Sequence, residues 1–230
     1  MIKLAVFDLD GTLAPLGKGI SREDIRLLRE IEQRGVRVAL CSGKPCYYLC
    51  GLVRQVGLER PILIGENGAV IVFGVELPPK RRYVLPCSEA AKSSIAFLKN
   101  EIGKLFPDIW YQPNEVALTP FPVTERQFDA IQAVIDENRG LLSEVTVYRH
   151  VDSFDILPLG IDKKSGLAYL AERIGVSPRE IVAVGDGVND YPMFEYAAYS
   201  LGVNVADETR VQRNFASVTK ALRYILEITR

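Results

Sequence analysis

The chain has 230 residues, 48% of them apolar and 25% charged, values of an ordinary folded protein that exclude a mainly disordered, collagen-like or low-complexity chain. Lys+Arg 28 against Asp+Glu 29 leaves a net charge of −1, so no global charge draws it to nucleic acid or to an anionic membrane. The one histidine, His150, excludes a His-rich zinc site and a Ser-His-Asp triad of known spacing, so chemistry near neutral pH falls to carboxylates, lysines, hydroxyls or a bound metal.

In chain order, Ile2–Phe7 is an apolar, β-prone run that ends in the loop Asp8-Leu9-Asp10-Gly11-Thr12. Ser21 with Asp24 marks a helix start, Ile25, Leu28 and Ile31 an apolar stripe, and Gly35 a stop. Val36–Cys41 reads as a second strand, Pro45 as the first turn of a helix ending near Gly57, Pro61–Ile64 as a third strand and Ala69–Val75 as part of a hairpin. Pro78-Pro79-Lys80-Arg81-Arg82 is a charged, turn-rich join, with Arg81-Arg82 read as a solvated hinge.

Past the join the rhythm changes. Helices near Ser88–Leu105 and Thr124–Asn138 alternate with strands near Ile109–Gln112, Val116–Phe121, Val145–Arg149 and Phe154–Leu157, an α+β pattern with an antiparallel sheet. Trp110, Tyr111 and Phe121 read as the core of this segment, and Arg149 and His150 as surface or packing residues. The strand–helix alternation then resumes with a helix at Lys163–Ile174, a strand at Ile181–Val184, a helix at Asn189–Ala197, a strand at Leu201–Val203 and a helix at Thr219–Ile228. The fold class expected is therefore α/β: a Rossmann-like parallel-sheet core (residues 1–79 with 157–230) carrying an inserted α+β cap (80–156).

The longest stretch without a charge, Tyr196 to Ala206, is too short to cross a membrane, and no Asn-x-Ser/Thr acceptor occurs, so a cytoplasmic location is expected. The four cysteines form no CxxC pair; Cys46 and Cys50, at i,i+4, read as buried and inert. Gly185-x-Gly187 lacks the third glycine of a dinucleotide fingerprint, and Gly11 to Gly17-Lys18 misses the spacing of a P-loop.

Asp8 and Asp10 project from the same side of an extended chain just past a buried strand. Two carboxylates this close repel unless a proton or cation intervenes, and Mg²⁺ suits one or two carboxylates plus phosphate oxygens. A second acidic loop, Gly185-Asp186-Gly187-Val188-Asn189-Asp190, also follows a buried strand, and in a parallel sheet it would reach the same rim.

Asp8-Leu9-Asp10-Gly11-Thr12 resembles the signature of the haloacid-dehalogenase-like phosphatases. Leu40-Cys41-Ser42-Gly43, Lys163 followed by Leu167 and Leu170, and Gly185 to Asp190 resemble that superfamily's further motifs, in order, and Glu66-Asn67-Gly68-Ala69 resembles an element of its Cof-type branch. The resemblance implies that Asp8 is the nucleophile, forming an aspartyl-phosphate, and that Asp10 is the general acid and base. It implies that Ser42, Gly43 and Lys163 bind the phosphoryl group, with Lys164 as an alternative to Lys163. It implies Mg²⁺ held by Asp8, Asp186 and the main-chain carbonyl of Asp10, supported by Asp190. Lys44 stands where relatives commonly have Arg, and Lys163-Lys164 where they have Lys-Gly.

The insertion resembles a class II cap, and the layout resembles archaeal phosphoglycolate phosphatases. This implies a small phosphate monoester, 2-phosphoglycolate first, with a sugar phosphate or mannosyl-phosphoglycerate as alternatives. A non-hydrolytic phospho-accepting switch is the reading from a different class. No nucleic-acid or membrane partner is expected; a homodimer is compatible with the sequence but nothing in it demands one.

Overall fold

The structure, a computed structural model, describes residues 1–229. It divides into two units, residues 1–84 with 162–229, and residues 85–161.

The first unit is built on an eight-stranded sheet. Its strands are β1 (Leu4–Phe7), β2 (Arg37–Cys41), β3 (Ile62–Gly65), β4 (Val70–Phe73), β5 (Arg81–Val84), β10 (Ile181–Gly185), β11 (Tyr199–Val203) and β12 (Arg213–Phe215). Their order is β12-β11-β10-β1-β2-β3-β4-β5. The six strands from β12 to β3 are parallel, and β4 and β5 add an antiparallel edge. Helices on both faces exclude water, which is why β1 and β10 are apolar throughout rather than alternating.

The helices begin and end where local chemistry dictates. The Ser21 hydroxyl accepts the amide of Asp24 and opens α1 (Arg22–Gln33). Gly57 and Gly175 take left-handed conformations and close α2 (Cys46–Val56) and α5 (Lys163–Ile174). Asp162 and Ser165 form a reciprocal capping box at the start of α5. Helices α6 (Tyr191–Tyr196) and α7 (Val218–Ile228) complete the unit; α1 packs on α7 and α5 on α6. Asp24 and Glu32 are buried on the apolar side of α1 because each has partners there: Asp24 accepts the Thr219 hydroxyl, and Glu32 accepts the amides of Glu59 and Arg60.

The second unit holds α3 (Glu89–Leu105), β6 (Trp110–Gln112), β7 (Thr119–Phe121), α4 (Glu125–Glu137), β8 (Val145–Arg149) and β9 (Phe154–Pro158). Two antiparallel hairpins, β6-β7 and β8-β9, are joined by reciprocal backbone bonds between Leu118 and Ile156. Leu98, Ile102, Ile131, Ile135, Phe154 and Ile156 form its core.

Several expectations are corrected. The two junctions fall at 84/85 and 161/162, each five residues beyond those expected. Arg81-Arg82 is no hinge: it begins β5, hydrogen-bonded to β4, where a charged face suits a sheet edge. Pro158, likewise, extends β9 opposite Val145. β12 lies outside the expected elements because Arg213-Asn214-Phe215 has no apolar alternation. Of Trp110, Tyr111 and Phe121, Tyr111 is the one that packs on the core of the second unit, whereas Trp110 is 58% exposed against Phe121. Among the described residues no helix is long and apolar enough to cross a membrane.

Leu98 is fully buried between α3 and its neighbours, so Leu98→Ala should cost about 2–5 kcal/mol. Equilibrium urea unfolding measures the loss, and hydrogen exchange should place it in residues 85–161.

Candidate active site

The strand order reverses between β1 and β10, and at such a switch point a crevice opens past the carboxyl ends of the strands. Phe7 lies in register with Val184, so the loops that follow, starting at Asp8 and Asp186, emerge side by side. The amide of Asp8 still donates to the Val184 carbonyl at 2.9 Å, which fixes the start of the first loop.

Lys163 organises what lies beyond. Its side chain is 1% exposed, and its Nζ donates to Asp8 Oδ1 at 2.6 Å and to Asp190 Oδ1 at 2.6 Å. Burial works against the ammonium, yet Asp190 and Asp8 outweigh it and hold the lysine's pKa above its usual range. Lys164, the alternative left open by sequence, lies on the surface 3.6 Å from Glu195.

Asp190 is fully buried, and its second oxygen accepts the amides of Asp186 and Gly187, both at 2.9 Å. That brace sets the direction of Asp186, whose Oδ1 accepts the Thr12 hydroxyl at 2.6 Å. Two glycines permit this packing. A Cβ on Gly11, which also has φ +90°, would collide with the Asp186 carboxylate, and one on Gly185 with that of Asp190.

Asp8, Asp186 and Asp190 bring one carboxylate oxygen each within 4.8 Å of one another. Such an all-oxygen donor set fits a hard divalent cation. Asp190 is the member whose two oxygens are both occupied, by Lys163 and two amides, so Asp8 and Asp186 are the carboxylates that could hold a cation. Burial pushes the Asp8 carboxyl up to about 8, with Asp190 and Asp186 adding to the rise against Lys163. Asp186 is also raised, by burial first, although the Thr12 hydroxyl opposes it.

The Asp10 carboxylate lies outside this cluster. It is partly exposed, with Lys44 Nζ 3.9 Å away. Ser42 and Gly43 follow β2, the neighbour of β1; the Ser42 hydroxyl is buried and accepts the amide of Lys44 at 3.1 Å.

One support is poorly legible in sequence. Glu66 and Asn67 both have positive φ (53° and 51°), a conformation non-glycine residues seldom hold. In that turn their amides donate to the carbonyls of Lys44 and Ser42, at 3.1 and 3.0 Å. Gly68, next in line, packs so closely on Asp162 and Gly166 that neither glycine has room for a Cβ. One turn thus ties the Ser42 loop to the helix that carries Lys163.

Cys46 and Cys50 are free thiols, and burial pushes Cys46 up to about 12, as an inert role requires. In the second unit, His150 Nε2 lies 3.1 Å from Asp155, and Thr119 donates to the other oxygen of that carboxylate at 2.8 Å. Arg149 lies over the rings of Phe128 and Phe154, a packing role.

The sequence profile described as sucrose-6F-phosphate phosphohydrolase matches residues 2–225. The phosphoglycolate phosphatase of Thermoplasma volcanium is 30% identical over 220 residues, 94% of this chain and 92% of its own length. That of Methanopyrus kandleri is 27% identical over 225 residues, 95% of this chain and 90% of its own. A haloacid dehalogenase-like hydrolase from Bacteroides thetaiotaomicron superposes with TM-score 0.82 at 20% identity, covering 98% of this chain and all of the other. A haloacid dehalogenase-like hydrolase from B. subtilis does so with TM-score 0.74 at 17% identity, covering 97% and 99%.

Between the ordinary aspartate pKa and about 8, folded Asp8 keeps a proton that the unfolded chain has released, so stability falls as pH rises through that window. In EDTA, Tm should therefore decline from pH 5 to 8, with a shallower slope in Asp8→Asn and with Mg²⁺ present. Lys163→Met, which leaves the buried Asp190 carboxylate without its cation, should cost about 3–5 kcal/mol in urea unfolding at neutral pH.

Proposed function

The chain belongs to the sucrose-6F-phosphate phosphohydrolase family, among the haloacid-dehalogenase-like phosphatases, and from that premise we propose that it is a Mg²⁺-dependent phosphatase of small phosphate monoesters, with 2-phosphoglycolate as its substrate. The observation that carries this reading is the buried Lys163 held between Asp8 and Asp190 beside Asp186. A nucleophilic carboxylate, a buried cation and an all-oxygen donor set are what phosphoryl transfer needs, because it depends on positioning and charge neutralisation.

In this mechanism Asp8 attacks phosphorus through a carboxylate oxygen while the ester oxygen leaves. Asp10 gives that oxygen its proton, so the alcohol departs neutral. Asp10, now ionised, takes a proton from a water that attacks the phosphorus of the aspartyl-phosphate; the bond to Asp8 breaks and inorganic phosphate is released. Lys163 and the Ser42 hydroxyl hold the non-bridging phosphoryl oxygens, with Gly43 giving the phosphoryl group room to approach the Ser42 loop. Mg²⁺ would be held by Asp8 and Asp186, with Asp190 behind them and the Asp10 main-chain carbonyl as a further donor; when bound it offsets the carboxylate charge and polarises the phosphoryl group.

Residues 85–161 are the segment to which we assign choice of leaving group, and the cytoplasm is the compartment we assign. Phosphoglycolate is favoured by the names of relatives that align over nearly their full length. A sugar phosphate is the second reading, favoured by the description of the matching family profile.

Phosphate release from a panel of monoesters, with Mg²⁺ and with EDTA, tests the proposal. Release should be led by 2-phosphoglycolate, need Mg²⁺, vanish in Asp8→Asn and fall about 10²–10⁴-fold in Asp10→Asn. Release led by a sugar phosphate would keep the mechanism and replace the substrate. No release from any ester would overturn the hydrolase reading.

A further inference from the structure

The opposite end of the same sheet carries a second concentration of charge. β2 starts there at Arg37, and β3 starts just after Arg60 and Pro61. The end of β4, Phe73, is paired both with Ile62 and with Arg81, the start of β5. Helix α5 runs the other way, with Lys163 at the catalytic rim and Arg173 in its last turn. Strands of four or five residues separate the two rims, roughly 13–17 Å at about 3.3 Å per residue.

These ends surround a half-open cavity of about 590 Å³, a size typical of small-molecule sites. Four arginines (Arg37, Arg60, Arg81 and Arg173) line it together with Lys80, against the one carboxylate of Glu59. Lys80 pairs with Glu76. No carboxylate of the described residues comes within ion-pair distance of any of the four guanidinium groups. In a chain of net charge −1, so uneven a distribution is a local feature and not a by-product of composition.

Structural duties account for part of this set. Arg37 donates to the Ile174 carbonyl at 3.5 Å and, with Arg173, offsets the negative end of α5. That duty does not extend to Arg60 or Arg81. Arg81 lies over the Phe73 ring, 4.1 Å from its centroid, with its Nε donating to the Tyr83 hydroxyl at 3.1 Å, and Arg173 over Tyr169 at 4.6 Å, with its Nη2 donating to the Tyr169 hydroxyl. These contacts hold both guanidinium groups at the cavity, each with one N–H on a tyrosine hydroxyl and its other N–H groups left for phosphate oxygens. Pro61, Ile62 and Ile174 add an apolar wall to the same cavity.

We propose that this cavity is a second, non-catalytic site that binds a phosphorylated small molecule, its phosphate oxygens on the arginine edges and its carbon or ring portion against the apolar wall. The proposal is independent of which ester the catalytic rim hydrolyses. Arg60 and Arg81 are the residues that test it, because neither touches the catalytic carboxylates or the carbonyl end of α5.

Calorimetric titration of the full chain in EDTA, with pyrophosphate and with ADP as probes, measures the binding. Both probes should bind the wild type, ADP more tightly because it also covers the apolar wall. Arg60→Gln/Arg81→Gln should weaken both by tenfold or more, the scale of a lost charged hydrogen bond, while Mg²⁺-dependent phosphate release stays unchanged. Arg60→Lys/Arg81→Lys, which keeps the charge and loses the fork, should fall between the two and serves as the folded control, checked by thermal unfolding. No binding of either probe, or binding that both double variants leave unaltered, would overturn the site.

Discussion

A lysine ammonium buried to 1% exposure has to be surrounded by negative charge, and the acidic rim is arranged around that requirement. Asp8 and Asp190 supply the charge at 2.6 Å each. Asp190 can do so only because the Asp186 and Gly187 amides hold its other oxygen, and that same bond aims Asp186. Lys163 in turn depends on the capped start of α5 and on the glycine contact that seats the helix beside Glu66–Gly68. Charge, cap and close backbone approach thus form one connected device.

The sheet is what brings its parts together. Asp8 and Lys163 are 155 residues apart, and Thr12 and Asp186 174. A parallel sheet whose order reverses at β1 and β10 delivers both acidic loops to one rim without a long loop in either. The insertion between β5 and α5 leaves that register intact, and residues 85–161 have a core of their own.

The net charge of −1 conceals an opposed distribution. At the rim where Asp8 and Asp186 emerge stands the positive end of α5, where a cation or phosphate chemistry finds both signs of field. At the other rim the helix's carbonyl end meets Arg37 and Arg173, and Arg60 and Arg81 add to them. A parallel sheet with helices returning antiparallel to it creates this polarity by construction; side chains at each rim have answered it.

Much of the architecture was legible before the fold was known, wherever the signal was local. Asp162 and Gly175 bound α5 at Lys163–Ile174, the limits its periodicity suggests, because a cap and a left-handed glycine act within one turn. The two acidic loops announced themselves because each follows an uninterrupted apolar strand. Local signals failed for β5 and β12, edge strands of four and three residues whose pairing comes from a neighbour and not from their own pattern. They also could not choose between Lys163 and Lys164, adjacent on one helix; the choice belongs to the direction in which α5 meets the sheet, which buries one and exposes the other. The left-handed turn at Glu66-Asn67 and the arginine-lined cavity have the same origin. Sequence by itself determined most of the elements and the acidic loops, since caps, periodicity and uninterrupted apolar strands act over a few residues. Tertiary structure alone decided which charges meet and which stand without a carboxylate, since those distances exist only once strand register and helix direction are set.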